Sequence, residues 1–248
     1  MTASHPSRLH WLDPRQPDQL FPDPAFALPD PNGLLAIGGD LSPMRLLNAY
    51  RQGIFPWFNP DEPILWWSPN PRCVFMPGAV HVSHSLAKRI KKGGYALSFD
   101  RAFAETLSAC AEVRRSGRGT WLGAEMQSAY RSLHRSGMAH SVEVWREGQL
   151  IGGLYGVAIG RMFFGESMFS TETDASKLAL VHLSQQLLDW GFPLLDCQVA
   201  SPHLLRLGAH NLPRADFLVQ SHQAQQLTPP AHWHFDIAHA GDPRHLPT

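Results

Sequence analysis

Pro56, Pro60, Pro63, Pro69 and Pro71 interrupt the most aromatic stretch of this chain, so Phe55-Pro56-Trp57-Phe58 and Leu65-Trp66-Trp67-Ser68 must lie in short strands and loops. A proline inside a helix removes one hydrogen bond and clashes with the preceding turn, which rules out a long helix here. Just upstream one helix is signalled, with Ser42 as N-cap, Pro43 in the first turn and Gly53 as the stop. These features predict a compact, loop-rich small domain over residues 1–70.

From residue 71 the pattern becomes regular and predicts a second, larger domain over 71–227. Helices are expected near Ser83 to Lys92, at 101–113 and at 123–136, with a strand near Tyr95 to Phe99. Ser141-Val142-Glu143-Val144-Trp145 alternates as a strand should, Glu147-Gly148 turns, and Gln149 to Ala158 and Arg161 to Phe169 complete an antiparallel meander. Asp174 reads as the N-cap of a helix running to Trp190, followed by an apolar strand through Leu194-Leu195-Asp196-Cys197-Gln198. Shorter helices are expected from Ser201-Pro202 to Gly208 and over Ala215 to Gln226. The fold class is therefore α+β with a mostly antiparallel sheet, and residues 228–248, rich in Pro and His, read as a loose tail.

With 248 residues, 44% of them hydrophobic, the chain can bury a sizeable core in each of two unequal domains. Its 21 basic and 21 acidic residues cancel, so any contact with nucleic acid must come from a local patch and not from a global field. Cys73, Cys110 and Cys197 stand far apart with no paired spacing, which fits free thiols in a reducing compartment. No basic-then-apolar leader opens the sequence and no apolar run reaches roughly 18 residues. A cytoplasmic protein without a membrane partner is expected.

Several residues can carry chemistry. On a strand, Asp196 and Gln198 share one face while Cys197 points to the other, so a carboxylate and a carboxamide can jointly orient an amine; the same pattern also fits a strand end making local hydrogen bonds. Glu166, in Gly165-Glu166-Ser167-Met168-Phe169-Ser170, is an acid in an apolar strand, suited either to binding a substrate ammonium or to pairing with an Arg or a backbone amide. Phe163, Phe164, Met168 and Phe169 can line an apolar pocket or simply fill the core. Lys88, Arg89, Lys91 and Lys92, with Arg114, Arg115 and Arg118, are the candidate phosphate contacts, though helix ends commonly carry such charges as a solvated face. His81, His84, His232, His234 and His239 lack supporting Cys or carboxylate ligands, so no metal site is expected. Arg114-Arg115-Ser116-Gly117-Arg118-Gly119 fits the loose R-x-x-G-x-G pattern with which acetyltransferases cradle coenzyme A, but a helix precedes it where those enzymes have a strand. That pattern leaves a coenzyme A-dependent N-acetyltransferase as a rival reading, beside a non-catalytic tRNA- or peptide-binding module.

Taken together, the motifs resemble the bacterial leucyl/phenylalanyl-tRNA-protein transferases. The resemblance rests on Pro31-Asn32-Gly33-Leu34-Leu35-Ala36-Ile37-Gly38-Gly39-Asp40-Leu41-Ser42, Gly53 to Phe58, Leu65 to Pro69, Gly119-Thr120-Trp121, His140 to Trp145, Gly165 to Ser170, Asp196-Cys197-Gln198 and Leu207-Gly208-Ala209, in that order over roughly residues 30–218. It implies a small amino-terminal α+β domain before a larger domain related to the acetyl-coenzyme A N-acetyltransferases, and no metal or organic cofactor. It implies transfer of Leu, Phe or, less readily, Met from aminoacyl-tRNA to proteins beginning with Arg or Lys, which marks them for degradation, by a monomer. Carried over by position, Asp196 and Gln198 match the family's catalytic pair, and Glu166 its acid near the donor amino group. Tyr50, Trp57 and Trp121 match aromatics that contact the terminal adenosine. Leu154, Phe163, Met168, Leu180, Leu183, Leu187 and Leu195 match the aminoacyl side-chain pocket. The chain departs from the family pattern at Thr171, where a basic residue often stands, and at Ser201, a substrate-binding position where a polar amide can occur.

Overall fold

A computed structural model describes residues 9–59, 61–115 and 122–235 of the chain. A four-stranded sheet forms first, from β1 (His10–Leu12), β2 (Leu34–Gly38), β3 (Phe55–Pro56) and β4 (Leu65–Trp67) in the order β1-β2-β4-β3. Helix α1 (Pro43–Arg51) follows β2; the Ser42 hydroxyl accepts from the Arg45 N–H, as an N-cap should. Arg45 is fully buried and ties the preceding loop to this helix, donating to Asp40 and to the carbonyl oxygens of Asp13, Gln16 and Gln19.

The remaining strands build a seven-stranded sheet: β5 (Arg72–Phe75), β6 (Ala96–Phe99), β7 (Ala139–Arg146), β8 (Gln149–Ile159), β9 (Met162–Ser170), β10 (Leu194–Asp196) and β11 (His210–Leu212). Their order is β11-β5-β10-β9-β8-β7-β6, and every neighbouring pair is antiparallel except β10 with β9. Alternate residues therefore face opposite layers. Phe75, Leu154, Phe163 and Leu195 face α2 (His84–Lys92), α5 (Ala175–Asp189) and α6 (Pro202–Arg206). Val74, Tyr155, Phe164 and Leu194 face α3 (Phe103–Arg115), α4 (Ala124–Arg135) and α7 (Arg214–Gln225). This second layer continues without a break through Tyr50, Leu35 and Trp66, so the two sheets share a core. The expected α+β class, with a mostly antiparallel sheet, is what is observed, and no described helix is long and apolar enough to cross a membrane.

Three local expectations are corrected. Asp174 precedes α5 but lies in the left-handed region at φ 64° and makes no side-chain cap; its carboxylate takes Lys177 Nζ at 2.7 Å instead. The strand expected through Gln198 ends at Asp196, and Gln198 has φ 58°, so Asp196 and Gln198 do not share a strand face. Finally, residues 231–235 are not loose: Trp233 and Phe235 pack into the layer formed by α2 and α5.

Candidate active site

The only parallel pairing in the large sheet opens a cleft. Strand β10 stays beside β9 as far as Asp196, opposite Phe164, and then turns away while β9 runs on to Ser170. At the same place β9 bulges: Tyr155 pairs with Ser167 and Gly156 with Gly165, leaving Glu166 without a partner residue on β8. A bulge shifts the alternation of the residues beyond it, and here Met168 returns to the face of Phe163. Glu166, two residues on from Phe164, reaches two tyrosines, Tyr50 of α1 and Tyr130 of α4.

The cleft holds a cavity of about 590 Å³. Leu154, Phe163, Met168, Leu180, Leu183 and Leu195 line it, together with Phe75 and Leu204, and Trp57 stands at its wall 47% exposed. Gly156 makes room for Phe163, since a Cβ there would sit 2.4 Å from the Phe163 ring and from the Phe164 carbonyl oxygen. Glu166 is the one acidic residue in the lining; Gln198, Ser201, His203 and Cys197 supply other polar or sulfur groups. Burial lowers the His203 imidazole pKa, helped by Lys177 and Arg206, and raises the Cys197 thiol well above its ordinary range. A thiol so disfavoured as thiolate is a poor nucleophile.

Glu166 sits in a ring of short contacts. Tyr50 Oη and Tyr130 Oη lie 2.7 Å from its two oxygens and 2.8 Å from each other, and Gln198 Nε2 is 3.4 Å from Oε1. Both phenols donate to the carboxyl group. Burial pushes Glu166 up to about 7, against the two tyrosine hydrogen bonds that lower it. Both tyrosines are raised well above their ordinary range, first by burial and then by the neighbouring carboxyl.

Asp196 is placed differently. It is fully buried and is not part of the cavity wall. Arg72, also fully buried, donates from Nε and Nη2 to its two oxygens at 2.8 and 2.6 Å, while Nη1 donates to the Gly53 carbonyl at 3.0 Å. The guanidinium lies over Phe55 and Phe217 with ring centroids 4.9 and 4.7 Å away. The Gln198 N–H donates to Asp196 Oδ1 at 3.0 Å. Asp196 thus holds Gln198 through its backbone and does not polarise the carboxamide, whose Nε2 faces Glu166 and whose oxygen is left for the cavity.

Other expected site residues also move. Tyr50 is fully buried and holds Glu166, so it is not an aromatic surface for a nucleoside; Trp57 is so exposed. Leu187 is fully buried on α5 but lies behind the lining rather than in it. Ser201 lines the cavity and its hydroxyl caps α6, accepting from Leu204 N–H at 3.2 Å. Arg89 is paired with Glu172, which Arg146 also engages, whereas Lys88, Lys91 and Lys92 show no ion pair among the described residues. Trp121 and Arg118 lie outside the described residues, as do the side chains of Arg114 and Arg115 at the end of α3. Sequence reasoning missed Arg72 and Tyr130. Arg72 carried a signal, a charge opening the apolar run Arg72-Cys73-Val74-Phe75; Tyr130 sits in the α4 stripe Met126-Ala129-Tyr130-Leu133 and looked like any core aromatic.

Two family models match the chain: leucyl/phenylalanyl-tRNA protein transferase over residues 74–222, and the N-terminal domain of that transferase over 39–70. Similar proteins named leucyl/phenylalanyl-tRNA–protein transferase include one from Thiobacillus denitrificans, 58% identical over 217 residues, 87% of this chain and 95% of that one. Another, from Alkalilimnicola ehrlichii, is 56% identical over 221 residues, 89% of this chain and 86% of that one. A GCN5-related N-acetyltransferase from Kribbella flavida aligns with a TM-score of 0.32 at 13% identity, over 66% of this chain and 59% of that one, a likeness that carries no inference about chemistry.

Two outcomes follow from this geometry. Asp196→Ala leaves the Arg72 cation buried without its partner and should lower stability by about 3–5 kcal/mol, with Asp196→Asn costing less, as urea unfolding will read. Glu166 has a folded pKa near 7 against an ordinary 4.5, so the folded state holds a proton that the unfolded chain has lost. Its contribution to stability is full below about 4.5 and is lost as pH rises to about 7. Glu166→Gln should flatten the fall in melting temperature across that window; an unchanged slope would show that Glu166 does not titrate there.

Proposed function

Because the chain belongs to the leucyl/phenylalanyl-tRNA protein transferase family, an enzyme family acting on aminoacyl-tRNA and protein acceptors, we propose that the cleft beside β9 and β10 is where it joins them. The donors are tRNAs carrying Leu, Phe and, less readily, Met; the acceptors are proteins that begin with Arg or Lys, which the transfer marks for degradation. The observation that carries this reading is an apolar cavity with one acid and one carboxamide at its wall.

The donor side chain occupies the Leu154, Phe163, Met168, Leu180, Leu183 and Leu195 part of the cavity. Such a pocket separates side chains differing by one methylene by only about 1–3 kcal/mol, so unbranched or γ-branched donors of similar size are accepted together. Ile and Val, branched at Cβ beside the ester, fit worse. Glu166 receives the donor α-amino group, whose positive charge favours the ionised carboxylate. Trp57 offers the exposed ring on which the terminal adenosine stacks, and the bases on Lys88, Lys91 and Lys92 supply phosphate contacts.

The aminoacyl ester is already activated, so direct aminolysis needs no covalent enzyme intermediate. The acceptor nitrogen attacks the ester carbonyl carbon, the bond to the ribose oxygen breaks, and the proton shed by the nitrogen balances the one the ribose oxygen gains. The acceptor α-amine has an ordinary pKa of about 8, so roughly a tenth is neutral at pH 7. Gln198 Oε1 accepts a hydrogen bond from that amine, because Nε2 is directed at Glu166. Asp196 acts one step back, as the group that positions Gln198.

Radiolabelled Leu should pass from charged tRNA to a protein beginning with Arg and not to the same protein beginning with Ala, at stated salt. Gln198→Ala should lower kcat by about 100-fold with little change in the binding of charged tRNA. Label on neither acceptor, with folded enzyme and intact charged tRNA, would overturn the reading.

A further inference from the structure

Residues 226–235, beyond α7, are tied to the large sheet. The Arg161 Nε, at the hairpin between β8 and β9, donates to the Thr228 carbonyl at 2.8 Å, and the Arg161 N–H donates to the Ala224 carbonyl at 2.9 Å. Helix α7 packs on one layer of the large sheet, and the segment that follows it reaches the other. Thr228 is thus held at the end of the sheet, where the chain crosses from one side to the other. From there residues 231–235 alternate: Trp233 and Phe235 turn inward, while His232 and His234 stay exposed.

The inward rings fill a defined place. Trp233 stacks on His140 at 3.7 Å with an interplanar angle of 12°, and meets Trp190 at 5.2 Å, Phe99 at 5.6 Å and Phe163 at 6.0 Å. Phe235 stacks on Phe99 at 4.2 Å. His140 suits this stack: its Nδ1 lies 2.7 Å from Asp100 Oδ2 and its Nε2 3.1 Å from the Gly137 carbonyl. These two contacts fix the plane of the imidazole on which the indole stacks.

Phe163 is the link to the cleft. Its ring is fitted against Gly156 and forms part of the cavity lining, and its centroid lies 6.0 Å from that of the Trp233 indole, which does not line the cavity. We propose that the segment 231–235 is part of the donor-specificity apparatus: Trp233 limits how far Phe163 can retreat and so sets the largest side chain the cavity accepts. This rests on the reading that the cavity takes the donor side chain. It makes Trp233 a positioning residue, since it touches the pocket wall and not the donor.

The test compares the full-length protein with Trp233→Ala, Trp233→Leu and Trp233→Phe, measuring kcat/KM for one tRNA charged with Leu, Phe or Trp. Removing the indole should raise the Phe:Leu and Trp:Leu ratios by roughly tenfold, the scale on which a hydrophobic pocket reads size, while Trp233→Phe keeps them near the original. A purely structural role would lower all three donors together, and unchanged ratios in Trp233→Ala overturn the proposal. Should Trp233→Ala not fold, unchanged ratios in Trp233→Leu overturn it equally. Leu183→Phe, which fills the cavity directly, separates the two levels. If it abolishes Phe transfer while the Trp233 variants keep their ratios, the cavity reading stands and this inference falls; if it leaves donor choice untouched, the cavity reading itself falls.

Discussion

The buried pair between Arg72 and Asp196 is the contact through which the parts of this molecule are set against one another. Arg72 opens β5, Asp196 closes β10, and the same guanidinium holds the Gly53 carbonyl after α1 and lies between Phe55 of the small sheet and Phe217 of α7. One planar cation therefore ties together both sheets and a helix. Such a pair is weak evidence for stability, because removing two charges from water costs about as much as their attraction returns. Its value is geometric: the bidentate fork favours one separation and one plane for Asp196, and Asp196 in turn accepts from the Gln198 N–H.

The cleft then follows from two departures from regular pairing. β10 leaves β9 at Asp196, and β9 bulges at Glu166 before continuing beside β8. The bulge shifts the alternation by one, so that Met168 joins Phe163 on the cavity side. Glu166 meets two phenols beneath that apolar pocket, where burial raises its pKa to about 7. An ammonium brought to this group would favour the ionised carboxylate, since opposite charge at short range opposes the effect of burial.

Much of this was legible in the chain. The prolines, the Ser42 cap and the alternation in 141–145 marked the elements, and Glu166 and Gln198 were marked as polar residues in apolar surroundings. What was not legible depends on pairing between distant segments. Asp196 and Gln198 looked like two residues on one strand face because nothing local announces that the strand stops between them, where Gln198 takes φ 58°. Tyr50 looked like a nucleoside contact, and only the approach of α1 to α4 and β9 shows it to be enclosed with Tyr130 around Glu166. Leu187 follows the apolar rhythm of α5 with Leu180 and Leu183, yet a helix presents only part of that stripe to a cavity.

The tail illustrates the same limit from the other direction. Pro- and His-rich composition gave residues 228–248 the look of a loose tail, yet 231–235 are ordered. What orders it is a receptor already made by the fold: an imidazole held by Asp100 and Gly137, with Phe99, Trp190 and Phe163 around it. The cost of ordering this short segment is offset by one indole that stacks on the imidazole and packs against an apolar wall. Phe163 belongs both to that wall and to the cavity lining, so the last described segment of the chain and the pocket share a side chain.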